Sequence, residues 1–202
     1  MIPAALLALA LSAPDAGTLA REVQARYERT TDLQARFVQT YTYAAFGRRQ
    51  VSSGILKVKK PGRMRWDYLE PSRKSIAVVG SRLVQWEPEA RQAYVDDHFD
   101  AGAMSAAVTF LLGKGSLARE FELSVDAGGW LVGRPRRPDP RVARVRFQVG
   151  PGGDVVATEV VDAQGNTNEV RLSDVKRNAG LPDADFVIEI PAGAHRLTAP
   201  GR

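Results

Sequence analysis

After one short stretch of helical periodicity, the chain alternates apolar and polar residues at every second position, in runs broken by Gly and Pro. A period of two marks strands with one buried face, and tight turns between the runs leave no room for the crossover helices of a parallel sheet. The pattern predicts an antiparallel meander of roughly ten or more strands, not a βαβ fold. Ahead of it, Leu19, Val23 and Tyr27 recur at spacing four while Arg21, Glu22, Arg26 and Glu28 fall mostly elsewhere. That spacing predicts an amphipathic helix over 18–29 with Thr18 as its N-cap.

The first strand begins at Leu33, with Leu33, Ala35, Phe37, Gln39, Tyr41 and Tyr43 on one face. Phe46-Gly47-Arg48-Arg49 reads as a turn, and 54–60 as the second strand. Pro61-Gly62 turns the chain into 63–68, where Met64, Trp66 and Tyr68 alternate with charges. Further strands are expected over 74–79, 82–87, 91–95, 121–125, 130–134, 141–149, 155–161 and 168–175, and 186–190 closes the series. One segment interrupts them. Residues 101–112 are rich in Ala and end in Phe110-Leu111-Leu112-Gly113, which predicts a short apolar helix stopped by glycine and placed as a lid over the concave face. The Pro- and Arg-rich stretch 134–140 reads as a solvated connection.

With 202 residues, 44% hydrophobic and 25% charged, the chain can bury one good core and is not disordered. The apolar run from Ala4 to Leu11 is too short to span a bilayer, which takes about 20 residues. Small residues at Ala8, Ala10 and Ala13 make 1–13 read as a secretory signal cleaved after Ala10 or Ala13, with 14–202 as a single domain, although no Lys or Arg precedes Arg21. The net charge of +5 is mild and suits anionic headgroups, an acidic partner or no specific partner equally well. Having no cysteine, the chain has no disulfide, thiol nucleophile or Cys-based zinc site.

Catalysis finds little support. In Asp96-Asp97-His98, neighbours on a strand point to opposite faces and cannot converge on a metal without a turn. Gly113-Lys114-Gly115-Ser116 echoes a phosphate loop, but Thr109 stands where its first glycine belongs, and a helix precedes it instead of a strand. No catalytic residue, metal or cofactor is expected. Lys57, Lys59, Lys60, Arg63 and Arg65 could suggest nucleic acid, yet alternation puts Arg63 and Arg65 on the face opposite Trp66 and Tyr68. Charges and aromatics on opposite faces make no stacking groove, so a solvated outer face and no nucleic-acid partner are expected. What remains is a large apolar inner-face set: Phe37, Leu56, Val58, Met64, Trp66 and Tyr68, with Met104, Val108, Leu111 and Leu112 from the interrupting segment. Patterning fits both an ordinary core and a cavity for an apolar ligand under a half-closed sheet.

The order of segments carries a resemblance. An amphipathic helix is followed by Leu33-Gln34-Ala35-Arg36-Phe37-Val38-Gln39-Thr40, and then by the run from Ser53 to Tyr68 with its G-x-L-x-V-K-[RK]-P-x-x-x-x-W core. Val79-Gly80-Ser81-Arg82-Leu83-Val84-Gln85-Trp86-Glu87-Pro88 comes next, and Phe186-Val187-Ile188-Glu189-Ile190-Pro191-Ala192-Gly193 lies near the end. This chain resembles the periplasmic outer-membrane lipoprotein carrier family, LolA. The resemblance implies a mainly β fold, an unclosed antiparallel β-barrel whose strongly curved sheet is covered on its open side by an N-terminal helix and an inserted helical lid. It also implies a non-enzymatic, monomeric periplasmic chaperone. Such a protein accepts acylated lipoproteins from an inner-membrane lipoprotein-releasing transporter and passes them to an outer-membrane lipoprotein receptor. The related receptor is anchored through an N-terminal cysteine, so the lack of Cys points to the carrier. At the lid latch, where the family carries Arg, this chain has Lys60. Two other readings are a lipid- or lipoprotein-sensing module of an envelope regulator, which expects a fused domain or anchor, and a small hydrolase.

Overall fold

The computed structural model describes residues 15–100, 116–139 and 141–199. The expected signal 1–13 and lid 104–112 lie outside them. Helix α1 spans Ala16–Glu28. Its N-cap is Asp15, not Thr18: the Asp15 carboxylate accepts bonds from the Thr18 amide (3.0 Å) and hydroxyl (2.8 Å). A cap serves the amide three residues on, so the helix starts one short turn earlier than its apolar spacing suggests.

The strands are β1 (Asp32–Tyr43), β2 (Arg48–Lys59), β3 (Arg63–Glu70), β4 (Lys74–Val79), β5 (Arg82–Glu87) and β6 (Gln92–Asp96). After a single turn, α2 (Leu117–Glu120), come β7 (Phe121–Val125), β8 (Leu131–Pro135), β9 (Arg144–Gly150), β10 (Asp154–Val161), β11 (Thr167–Arg177) and β12 (His195–Thr198). They form one twelve-stranded sheet in the order β12-β6-β5-β4-β3-β2-β1-β11-β10-β9-β8-β7. Two meanders, β1–β6 and β7–β11, join where β1 pairs with β11. The edges β7 and β12 do not pair, so the sheet is an unclosed barrel. Register shifts at Gln34/Arg36, Ser53/Gly54 and Val155/Ala157 mark bulges, which sharpen the twist and let the sheet curl.

The apolar alternation splits into two packed clusters. Leu19, Ala20 and Val23 of α1 pack on Leu117, Phe121, Leu131, Val145 and Phe147, covering the β7–β9 half. At Gly153 (φ +80°) the turn before β10 presses against this helix: a Cβ there would sit 2.3 Å from the Glu22 carbonyl oxygen. The second cluster, Phe37, Leu56, Val58, Met64 and Val78, belongs to β1–β4.

Three expectations are corrected. Residues 186–190 form no strand; Asp183–Phe186 is a 3₁₀ turn, and Phe186 is buried. The last strand is instead β12, which runs parallel to β6 and departs from the otherwise antiparallel sheet. Nor is the basic outer face of β2 and β3 simply solvated. Lys57 pairs with Asp185 (2.8 Å), and Asp183 is shared by Lys59 (2.6 Å) and Arg63 (3.1 Å). Arg65 Nη1 donates to the Asp185 and Val187 carbonyls, each at 3.0 Å. Alternation reveals that these charges face away from the core, but not that a segment some 120 residues later returns as a strap across them.

The strap makes a testable contact. A hydrogen bond from Lys59, and then the nearby charges of Arg63 and Lys59, hold the Asp183 carboxyl below its ordinary 3.8. A depressed carboxylate contributes its stabilisation above the unfolded pKa and loses it as pH falls through the folded value. A probe on residues 183–187 should therefore report release only below about pH 3.8, and release already at about pH 5 would contradict the pairing. At neutral pH, Asp183→Asn combined with Asp185→Asn should speed proteolytic cutting between 178 and 190 several-fold; an unchanged rate would mean Phe186 alone holds the strap.

Candidate functional site

Between the two clusters the inner face leaves a cavity of about 230 Å³. One wall is Leu56, Met64, Trp66 and Tyr68 from β2 and β3. The opposite wall is Phe147, Val155, Val160, Val170 and Leu172 from β9–β11, and Val23 and Tyr27 of α1 close the top. Strands from both meanders face one space because the sheet curls around it.

Of the inner-face residues expected from alternation, Leu56, Met64, Trp66 and Tyr68 line the cavity. Phe37 stands behind that wall, 1% exposed and edge-on to the rings of Trp66 (4.6 Å) and Tyr68 (5.1 Å). Val58 is buried in a small crevice beside it, with Tyr27, Leu33 and Lys60. Met104, Val108, Leu111 and Leu112 lie outside the described residues. The β11 wall escaped the sequence reading although its signal was present: Asn168, Val170 and Leu172 alternate, and they pair across from Tyr41, Gln39 and Phe37. Strand periodicity identifies an inward face but not which strand becomes the neighbour.

Polar groups mark the two ends. At one, Tyr68 Oη donates to Gln39 Oε1 and Gln39 Nε2 donates to Asn168 Oδ1, both at 2.9 Å. Burial pushes the Tyr68 hydroxyl up, against the opposing Gln39 bond, so the hydroxyl stays protonated. At the other end, Arg26 and Arg177 share Asp154, which offsets one of their two charges and leaves this trio net positive. The walls can thus shield an apolar chain from water while solvent reaches the ends. The volume is below the roughly 300–1,000 Å³ of pockets that enclose a drug-sized ligand. Part of one acyl chain fits; several would require the barrel to open.

Lys60 sits in the small crevice beside Val58, where its ammonium donates to the Tyr27 carbonyl and lies 3.9 Å over the Tyr27 ring. Burial lowers its pKa, and Glu28 opposes that shift. A cation at this point satisfies a C-terminal carbonyl of α1 and favours the negative end of the helix dipole. Lys60→Leu should cost about 1 kcal/mol and weaken amide protection of residues 26–29, with Lys60→Arg close to wild type. Equal protection in all three proteins would remove Lys60 from any role in seating the helix.

Outside the cavity, the Asp96-Asp97-His98 group makes local contacts. Asp96 accepts from the His98 amide (2.9 Å) and Asp97 pairs with Arg82 (3.3 Å).

An open antiparallel barrel built around an apolar cavity is the class that fold and site define. The family model described as outer membrane lipoprotein carrier protein LolA matches residues 28–189, and the chain belongs to that family. A protein of Dechloromonas aromatica named outer-membrane lipoprotein carrier protein is 32% identical over 170 residues, covering 82% of this chain and 80% of its own. One of the same name from Chromobacterium violaceum is 29% identical over 199 residues, covering 96% and 94%. Among solved structures, an uncharacterized conserved protein of Thermus thermophilus superposes with TM-score 0.56 at 12% identity, over 91% of this chain and 99% of that one. This last likeness concerns the fold alone.

Proposed function

We propose that the protein is a periplasmic, non-enzymatic carrier that covers the acyl chains of lipoproteins between the inner and outer membranes. Family membership and the relatives' names support the reading, and the single observation that carries it is the apolar cavity between the two meanders. Each methylene brought into water costs about 0.8 kcal/mol, so a lipoprotein with several long chains does not cross an aqueous space unaided. A carrier has to cover those chains and yet let them go, which a shallow cavity with open ends favours. In this reading residues 1–13 direct export, and the segment around Met104, Val108, Leu111 and Leu112 covers the open side. Lys60, where the family motif has Arg, couples α1 to that cover. Loading requires an inner-membrane lipoprotein-releasing transporter, and unloading a receptor that binds the chains better.

Spheroplasts incubated with the purified protein test it. Lipoproteins should appear in the supernatant as soluble complexes in proportion to added protein. Release no greater than with an unrelated protein of equal charge would overturn the proposal.

A further inference from the structure

A second hollow, of about 540 Å³, opens on the far side of the Tyr68–Gln39 hydrogen bond, and both residues line both spaces. Its chemistry is different. Across β1 and β2, Gln39 pairs with Ser52 and Tyr41 with Gln50, and all four line it. On the remaining wall Arg73 and Lys74 are matched by Glu87 and Glu89, two charges of each sign. A molecule lying through this boundary passes from a wall of Met64, Trp66 and Leu172 to one of hydroxyls and amides within the width of a residue pair.

That change in polarity matches the structure of an acylated peptide. Resting on the carrier reading, we infer that the polar hollow seats the cargo's head: the neutral ester and amide groups that follow the acyl chains. Ester and peptide groups need donors and acceptors together, and Ser52, Gln50 and Gln39 offer both. An anionic phosphate head would instead favour net positive charge, and the two pairs of opposite charges cancel. Pulled into the apolar cavity, a polar head would lose its water partners with nothing in exchange. Seated in the hollow, it keeps the acyl chains in register with Met64 and Trp66.

Two probes separate head from tail: a synthetic dipalmitoylglyceryl-cysteinyl pentapeptide and free palmitate. Ser52→Trp fills the hollow beside Gln39 and should lower lipopeptide affinity about tenfold, a difference of about 1.4 kcal/mol, while palmitate affinity stays within about twofold. Gln50→Leu, at an exposed strand position, removes hydrogen bonds without adding bulk and should lower lipopeptide affinity about fivefold. Equal losses for both probes, or no loss for either in Gln50→Leu, would overturn the assignment. A wild-type protein that binds palmitate and lipopeptide equally well also overturns it and leaves the acyl-chain reading standing. Failure to bind either probe overturns both.

Discussion

Gly54→Ala should lower stability by about 3 kcal/mol, seen as a fall in urea midpoint of about 1 M or more at unchanged slope. Gly54 sits at the β2–β3 register shift. An ideal Cβ there would lie 1.9 Å from the Asp67 carbonyl oxygen and 2.9 Å from Phe37 Cε1. The first of these is main chain of β3, paired on both sides in the sheet, and cannot swing aside as a side-chain tip would. The second belongs to a ring held edge-on against Trp66 and Tyr68. One methyl group therefore drives β3 away from β2, or Phe37 into the cavity wall. A midpoint shift below about 0.3 M would mean that the bulge is soft and that Phe37 does not brace the wall.

Met64→Glu should cost more than a cavity wall alone implies. Met64 lines the cavity but is only 1% exposed, packs with Phe37, Leu56, Val58 and Val78, and its Sδ lies 3.2 Å from Trp66 Nε1. A carboxylate at that point would replace apolar contact with Phe37, Leu56, Val58 and Val78, and the two arginines lining the same cavity, Arg26 and Arg177, are already held by Asp154. The expected loss is roughly 3–5 kcal/mol at neutral pH, the class of a buried, unpartnered charge. Burial would raise the introduced carboxyl's pKa, and a group raised in the folded state costs stability as pH climbs above its unfolded value of about 4.3. The deficit should therefore shrink near pH 4 and grow toward pH 8, with Met64→Leu close to wild type throughout. A pH-independent deficit would indicate that water reaches the position. Acyl-chain binding should fall in Met64→Glu even where the protein remains folded, because the charge faces the cavity.

Residues 186–190 were not a strand and β12 was not foreseen, whereas the strands up to β11, the N-terminal helix and the inward face of β1–β3 were legible in the chain. Each depends on local alternation and turn chemistry, which involve residues only a few positions apart. Leu56, Met64, Trp66 and Tyr68 could be placed on one side of the sheet from spacing alone. Their pairing with a wall from β9–β11 could not, because the β1–β11 register joins positions more than a hundred residues apart. The same limit hid the strap. Lys57, Lys59, Arg63 and Arg65 read as outward charges, and only the folded chain brings Asp183 and Asp185 onto them. Val187 and Ile188 look like strand residues by propensity, but the carbonyl of Val187 is taken by Arg65, not by a neighbouring strand.

Whether the inner face would be filled core or cavity was undetermined by sequence, for a physical reason. Periodicity records which side chains leave water, and both outcomes remove them equally. What separates them is how far the sheet curls before its two apolar halves meet. Here Phe37 and Met64 pack within one half and Phe147 and Leu131 within the other. The space left between them is set by bulges, by the pairing of β1 with β11 and by the seat of α1 against Gly153. Local sequence thus determined the strands and their inward faces, and long-range pairing alone decided that those faces enclose a cavity.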